Sequence, residues 1–334
     1  MKKTWNLKDV AKFANVSLGT ASKVTNGIYV RPELRMRVEA AIKELNYTPN
    51  VIARSLKMNS TNTIGIMIAD VSSPVISKVV KGIEDFNRQK NYNGIIYQTE
   101  LEIDGEIRGI ETFIRNKVDG ILFIGNTVEV ETARYLKASN VPVVFIMTNY
   151  DDEVFSSVTI DNREAAYVAV DYLCQKGYHD ILILAGKKED PNAGMPRLEG
   201  YKKALKKHNI TIKEELIVHG GYHLQRGYED MQRILSEKIE FSAIFTVSDE
   251  VAIGALKALR EKGVQVPEDV SIIGFDGIEM IYYTEPALTS ISQPFYELGQ
   301  KASEILMERM KGSYENVHVV LPFQLIENQS VNNK

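Results

Sequence analysis

The sequence predicts an α/β protein: a small all-helical head followed by two doubly wound parallel-sheet lobes. Three observations carry that reading. Charge is split along the chain. Residues 1–60 carry eleven Lys and Arg against four Asp and Glu, a net of +7, while the remainder, with 29 bases and 40 acids, carries −11. Three short helical patterns fill the basic segment. Beyond residue 63, apolar runs of strand length alternate with amphipathic helical stretches, the pattern of parallel sheets covered on both faces.

The 334 residues, 44% of them hydrophobic, suffice for two or three domains. No run of 18 apolar residues occurs, so no membrane-spanning helix is expected. The start, MKKTWNLKDV, lacks the apolar stretch of a secretory signal, so a cytoplasmic protein is expected. The single cysteine, Cys174, excludes an internal disulfide and a cysteine-based zinc site, and its place in a helical stretch beside Leu173 reads as core.

In the head, Leu7, Val10, Ala11 and Ala14 recur at helical spacing behind Asn6, a suitable cap. Ser17 is a natural N-cap for a second helix ending at Asn26-Gly27, and Ala14-Asn15-Val16 reads as the turn between them. Pro32 opens a third helix with apolar positions Leu34, Val38, Ile42 and Leu45. Two helices joined by a tight turn, with a third closing the core, describe a helix-turn-helix module. Its second helix enters the major groove. Leu18, Gly19 and Lys23 then face base edges, with Leu18 suited to a thymine methyl and Lys23 to guanine. Ser17, Thr20 and Asn26 suit phosphate oxygens.

Pro49 ends the third helix, and Asn50, Ala53 and Leu56 suit two turns of a hinge helix too short to be stable alone. An apolar side chain such as Leu56 can wedge between base steps in the minor groove and bend the duplex.

Together, Asp9-Val10-Ala11, Val16-Ser17, Ser22, Val24, Asn26, Arg35, Val38, Glu44-Leu45-Asn46-Tyr47, Pro49-Asn50, Ala53 and Leu56 resemble the head and hinge of the lac repressor family. The resemblance implies a periplasmic-binding-protein-like core, a homodimer with paired hinge helices, and a near-palindromic double-stranded operator. It departs at Lys23, where the family usually has Arg, at Ala21, where it usually has Val, and in the loop Ile28-Tyr29-Val30, about a residue short. The expected division is residues 1–48 for the helix-turn-helix domain, 49–60 for hinge and linker, and 61–334 for the core. Its lobes comprise about 61–161 plus 292–322, and about 162–291 plus 323–334.

In the core, strands are expected at Thr63–Ala69, Asn93–Gln98, Gly120–Ile124, Val141–Met147, Ile181–Ala185, Ala243–Val247 and Val270–Phe275, with a further strand ending at Gly220. Helices are expected near 74–90, 104–116, 130–138, 162–176, 197–208, 224–236 and 249–262. Phosphate-loop, dinucleotide, zinc-protease and serine-hydrolase motifs are lacking, and the five histidines show no metal-ligand spacing, so neither catalysis, a metal nor a cofactor is expected. Polar residues instead follow the strands, where open α/β sheets bind ligands. Asp70 to Pro74, Arg197, Tyr222, Ser248-Asp249, Asp276 and Ser290 to Pro294 offer the carboxylate, guanidinium, amide and aromatic groups that grip a polyol. Asp249 taken alone reads as a helix N-cap.

The same positions resemble the family's effector cleft. Arg197 in Arg-Leu-Glu-Gly-Tyr matches its effector-binding arginine, Asp276 in Ile-Ile-Gly-Phe-Asp its pocket aspartate, and Tyr222 its stacking aromatic. Gln293, Ser73 and Ser248 match polar cleft positions. Met147 stands where the family often has a carboxylate, and Ser73 where Asn is common. The function so implied is a repressor of carbohydrate-use genes whose operator affinity is set by a small polar effector, a sugar or sugar phosphate. Control by a purine or a phosphorylated protein corepressor is the alternative within the family. A soluble sugar-binding protein, or an α/β enzyme with a DNA-binding tether, is the alternative outside it.

Overall fold

The computed structural model describes residues 5–47, 60–100, 102–125, 127–148, 150, 154–313 and 315–334. The chain divides into two compact units, Met1–Asn62 and Thr63–Lys334. The expected hinge positions Asn50, Ala53 and Leu56 lie outside the described residues.

Among the described residues, the head has three helices: α1 (Leu7–Phe13), α2 (Leu18–Thr25) and α3 (Pro32–Glu44). The Asn6 side chain accepts the amides of Lys8 and Asp9, and the Asp9 carboxylate accepts the Asn6 amide at 3.0 Å, a complete capping box. The chain turns after α1 at Asn15, with φ 51°, a left-handed conformation that Asn tolerates. Ser17 caps α2 through the Thr20 amide at 3.1 Å. Val10, Ala11, Ala14, Ala21, Val24, Val38, Ala41 and Leu45 fill the core. Of the expected α3 stripe, Val38 and Leu45 are buried and Ile42 packs against the core, while Leu34 stays half-exposed and Ala41 takes the fully buried place. The Arg37 guanidinium on α3 donates to the carbonyls of Ala14 and Asn15, each at 2.7 Å. The third helix thus fixes the turn that sets the angle between the first two.

The body begins in lobe one with β1 (Thr63–Ile68), α4 (Pro74–Gln89), β2 (Asn93–Gln98), α5 (Ile103–Arg115), β3 (Gly120–Ile124), α6 (Val130–Ala138), β4 (Val143–Ile146) and β5 (Ser156–Thr159). It crosses to lobe two with α7 (Asn162–Gln175), β6 (Ile181–Ala185), α8 (Gly194–Lys207), β7 (Ile217–His219), α9 (Leu224–Ser236), β8 (Ala243–Thr246), α10 (Asp249–Glu261), β9 (Ser271–Asp276) and β10 (Thr289–Ser292). It returns to lobe one for α11 (Phe295–Met310) and β11 (His318–Val320), and ends in lobe two with β12 (Gln324–Ile326).

Lobe one orders its strands β11-β5-β4-β3-β1-β2, all parallel. Lobe two orders them β12-β10-β9-β8-β6-β7, parallel except for β12, which runs antiparallel to β10. Each sheet therefore carries a separate apolar cluster on each face. In both, the winding reverses at the first strand, β1 or β6, which opens a crevice at the carboxyl ends of the strands.

The strands and helices anticipated after residue 63 are present, with ends shifted by a few residues. The short strands β5, β10, β11 and β12 and the helix α11 were not anticipated. β5 is fully buried yet reads Ser-Ser-Val-Thr. Its hydroxyls replace apolar contact with bonds: Ser156 accepts the Val317 amide at 3.1 Å, and Ser157 pairs with His318 Nδ1 at 3.0 Å. Cys174 is a buried core residue, and burial pushes its thiol up to about 11.

Backbone contact replaces side-chain packing where the layer helices cross. A Cβ on Gly254 of α10 would lie 2.0 Å from the Leu224 carbonyl oxygen of α9, and one on Gly227 2.2 Å from that of Val251. Gly82 of α4 and Gly299 of α11 meet Tyr296 and Val79 in the same way. Gly254→Ala should therefore force the helices apart and cost about 1–3 kcal/mol, read as a lowered denaturation midpoint. Gly19→Ala, whose added Cβ meets only Ser17 Oγ at 3.7 Å, should leave the head at least as stable, because alanine is the better helix former.

Candidate functional site

The head exposes one face of α2. Leu18 is 45% exposed, and Gly19 and Lys23 stand open on the same helix. The Ser17 hydroxyl, besides capping, bonds the Thr20 hydroxyl at 2.9 Å, so these two form one small polar group at the helix start. Asn26 differs from the expectation. Its amide nitrogen donates back to the Ser22 carbonyl at 2.8 Å and lies 3.3 Å from Ser22 Oγ, so the donor meant for a phosphate is spent closing the helix.

In the body, a cavity of about 410 Å³ opens between the carboxyl ends of the two sheets. Ser73, Arg197, Tyr222, Ser248, Asp276 and Gln293 all line it. Their convergence follows from topology: each follows a different strand or opens the helix after it, and the crevices of both lobes face the same space.

Arg197 is the centre of this group, and it is 5% exposed. Its Nε donates to Asn162 Oδ1 at 2.9 Å, and its Nη1 to the Val247 carbonyl at the end of β8. Nη1 also lies 3.8 Å from Asp276 Oδ1, and the guanidinium carbon stands 3.7 Å above the Phe275 ring. Gln293 Nε2 donates to Asp276 Oδ1 at 2.7 Å. Asp276 has φ 123°, a region that side chains other than glycine rarely occupy, at the point where β9 reaches the cleft. Burial raises its carboxyl to about 8, against the pull of Arg197, and the nearby Asp249 carboxylate adds to the rise.

Tyr222 donates its hydroxyl to the Asp190 carboxylate, and burial together with that carboxylate holds its phenol far above the usual range. Asp190 Oδ1 in turn accepts the amides of Asn192 and Ala193 at the start of α8. Ser73 caps α4 through the Ile76 amide. Ser248 caps α10 through Val251 and donates to the Tyr222 carbonyl at 2.8 Å. Both serines thus hold the cleft's framework as well as lining it.

Asp249 is not the cap it was expected to be. Ser248 takes that place, and Asp249 turns inward, fully buried. It accepts the Ile278 amide at 2.9 Å and the Ser290 hydroxyl, fastening the segment just after Asp276 to β10. Burial lifts its carboxyl to about 6, with those hydrogen bonds opposing the rise. The residues not anticipated are Asn162, Asp190, Gln98, Glu100, His223 and Glu250. Asn162 reads as an ordinary first residue of a helix, and only the packing of α7 against α8 reveals that it orients Arg197.

Two family models match the chain: bacterial regulatory proteins of the lacI family over residues 6–50, and a periplasmic binding protein-like domain over residues 170–331. The chain is 40% identical over 330 residues to the HTH-type transcriptional regulator RegA of Clostridium acetobutylicum, covering 97% of this chain and 98% of that one. Among solved structures, the lac repressor dimer bound to operator and the anti-inducer ONPF has a TM-score of 0.90 at 26% identity, covering 99% of this chain and 100% of that one. The complex of the transcriptional regulator CelR with cellobiose has a TM-score of 0.76 at 29% identity, covering 98% and 99%. A basic three-helix head, two doubly wound lobes and similarity along nearly the whole chain agree: the protein belongs to the lacI family of bacterial regulatory proteins and is a DNA-binding transcriptional regulator with a periplasmic-binding-protein-like core.

Proposed function

We propose that this regulator is a cytoplasmic repressor, active as a homodimer, whose hold on a near-palindromic operator is set by a small polyhydroxy effector in the cleft. The observation that carries the effector is the buried Arg197–Asp276–Gln293 group, which offers a carboxylate acceptor and guanidinium and amide donors to one space. Cellobiose in the CelR complex supports a carbohydrate, and the lac repressor dimer on its operator supports both dimer and DNA. Ile96 on the outer strand β2 and Met280, Tyr282 and Tyr283 after β9 expose apolar surface suited to a partner subunit.

In this reading Leu18, Gly19 and Lys23 read bases, Ser17 and Thr20 meet phosphates, and the hinge around Asn50, Ala53 and Leu56 reaches the minor groove. The protein acts by binding and not by catalysis. The Tyr222 phenol and Cys174 thiol are raised away from nucleophilic forms. Footprinting on the DNA upstream of its own gene, with and without candidate sugars, tests the whole. Protection that no sugar alters would remove the effector from the proposal.

Lys23→Ala should relax preference at one base pair of each half-site, at about 1–3 kcal/mol, and binding to any one sequence should still fall with salt, at a slope of about −0.9 per phosphate neutralised. Gel shifts on operator variants over a salt series measure both. Leu56→Ala should weaken specific binding and reduce the bend seen in circular-permutation assays.

Asp276→Asn should lower effector affinity by about 1–3 kcal/mol, because it keeps the shape but replaces one accepting oxygen with an NH2 that cannot accept a ligand hydroxyl, while the dimer stays intact. The same substitution has a pH signature. A carboxyl raised in the folded state binds its proton more tightly there than in the unfolded chain, so its contribution is most favourable at low pH and is lost as pH rises through about 8. The melting temperature of the wild type should therefore fall, relative to Asp276→Asn, between about pH 5 and about pH 8. Parallel melting curves would return Asp276 to a fully paired structural role.

A further inference from the structure

The charge of the cleft separates the two carbohydrate classes that remain open, sugars and sugar phosphates. Among the described lining residues are four acids, Asp70 and Glu100 from lobe one and Glu250 and Asp276 from lobe two, against a single guanidinium, Arg197. That guanidinium is already committed to Asn162, the Val247 carbonyl and the Asp276 carboxylate. The other basic lining side chain, His223, interacts with two of the same carboxylates, Asp70 and Glu250.

A phosphate in such a fold needs an arginine or lysine cluster, or a helix N-terminus with free amides. Three of the helices that start at this cleft have their N-termini occupied, whereas α9, which opens behind the lining residue His223, and α11, behind Gln293, carry no side-chain cap. In α4 the first residue is Pro74, which has no N–H, and Ser73 takes the Ile76 amide. In α10 Ser248 takes the Val251 amide, and the first turn carries the acids Asp249 and Glu250. Before α8 the Asp190 carboxylate takes the amides of Asn192 and Ala193. The remaining lining on lobe one is largely apolar, with Val75, Ile76, Ile124 and Met147, a surface suited to the C–H face of a sugar ring.

Burial raises the Glu250 carboxyl, the neighbouring His223 pulls it back down, and the Asp70 carboxylate of the opposite lobe adds a smaller rise, so two like-charged acids and one imidazole face the space a ligand enters. A phosphate dianion placed there adds to the repulsion between the acids. Hydroxyl groups relieve it by donating to the carboxylates.

Resting on the reading of this cleft as the effector site, we infer that the effector is an unphosphorylated sugar, and that Asp70 and Glu250 are the specificity residues that exclude its phosphate esters. Exclusion of this kind works through a repulsive element set against the wrong ligand as much as through contacts to the right one.

The test uses the full-length protein. Wild type is exposed to an extract of bacterial small metabolites, washed and denatured, and the released compound is identified by mass spectrometry. In parallel, glucose, ribose, maltose and cellobiose, each beside its monophosphate ester, are titrated by calorimetry into wild type and into the Asp70→Asn, Glu250→Gln double variant. The released compound should contain no phosphorus. Any sugar of the panel that binds wild type should bind at least roughly tenfold more tightly than its ester, since like charges brought together cost more than a tenfold step in affinity. The double variant should bind that ester more tightly than wild type does. A phosphorus-containing compound released from wild type, an ester that matches its parent sugar, or a double variant with no gain for the ester would each overturn the inference while leaving the effector cleft in place. No retained compound and no binding by any sugar or ester would instead take down the reading of the cleft as an effector site, and the inference with it.

Discussion

The cation of Arg197, buried in the wall of a cleft, constrains everything placed around it. An unpaired charge there would be prohibitively costly, so each direction of the guanidinium has to be met. Asn162 at the start of α7, the Val247 carbonyl at the end of β8, the Asp276 carboxylate at the end of β9 and the Phe275 ring beneath it supply those contacts. Together they tie two strands and two helices of lobe two to a single group. Asp276 meets its side of this arrangement only with its backbone in a rarely occupied conformation, and Asp249 and Ser290 hold the following residues in place behind it.

Lobe one meets this group with groups of a different kind. Its strand ends present carboxylates and apolar side chains, whereas lobe two presents the dense hydrogen-bonded network. The space between them is thus lined by a polar network on one side and by hydrocarbon with carboxylates at its edge on the other. The chain passes between lobes after β5, after β10 and after β11, so a change in how the lobes close is carried by three short connections. Closure that depends on the ligand is the kind of two-state element through which a distant DNA-binding site can be controlled.

The head follows a separate logic. Its core is small and built largely from alanine and valine, and its geometry depends on caps: the box at Asn6 and Asp9, Ser17 on α2, and Arg37 reaching across to the turn. Those bonds settle which face of α2 is left open, with Lys23 outside, while Asn26 turns back to the Ser22 carbonyl of its own helix.

Read alone, the residues determined the helical head, the alternation of strands and helices in the body, the caps at Asn6 and Ser17 and the candidate cleft residues. These depend on local periodicity, cap chemistry and position after a strand, all written within a few neighbouring residues. The tertiary structure decided what depends on distant partners. The strand β5 hides its serines in a buried sheet because Val317 and His318 satisfy them from more than 150 residues away. Asp249 leaves its own helix cap because Ser290 and the Ile278 amide are there to receive it, and Asn162 becomes an Arg197 ligand because α7 packs on α8. A buried polar group must find its partner wherever the fold brings one, and no short stretch of sequence contains that information.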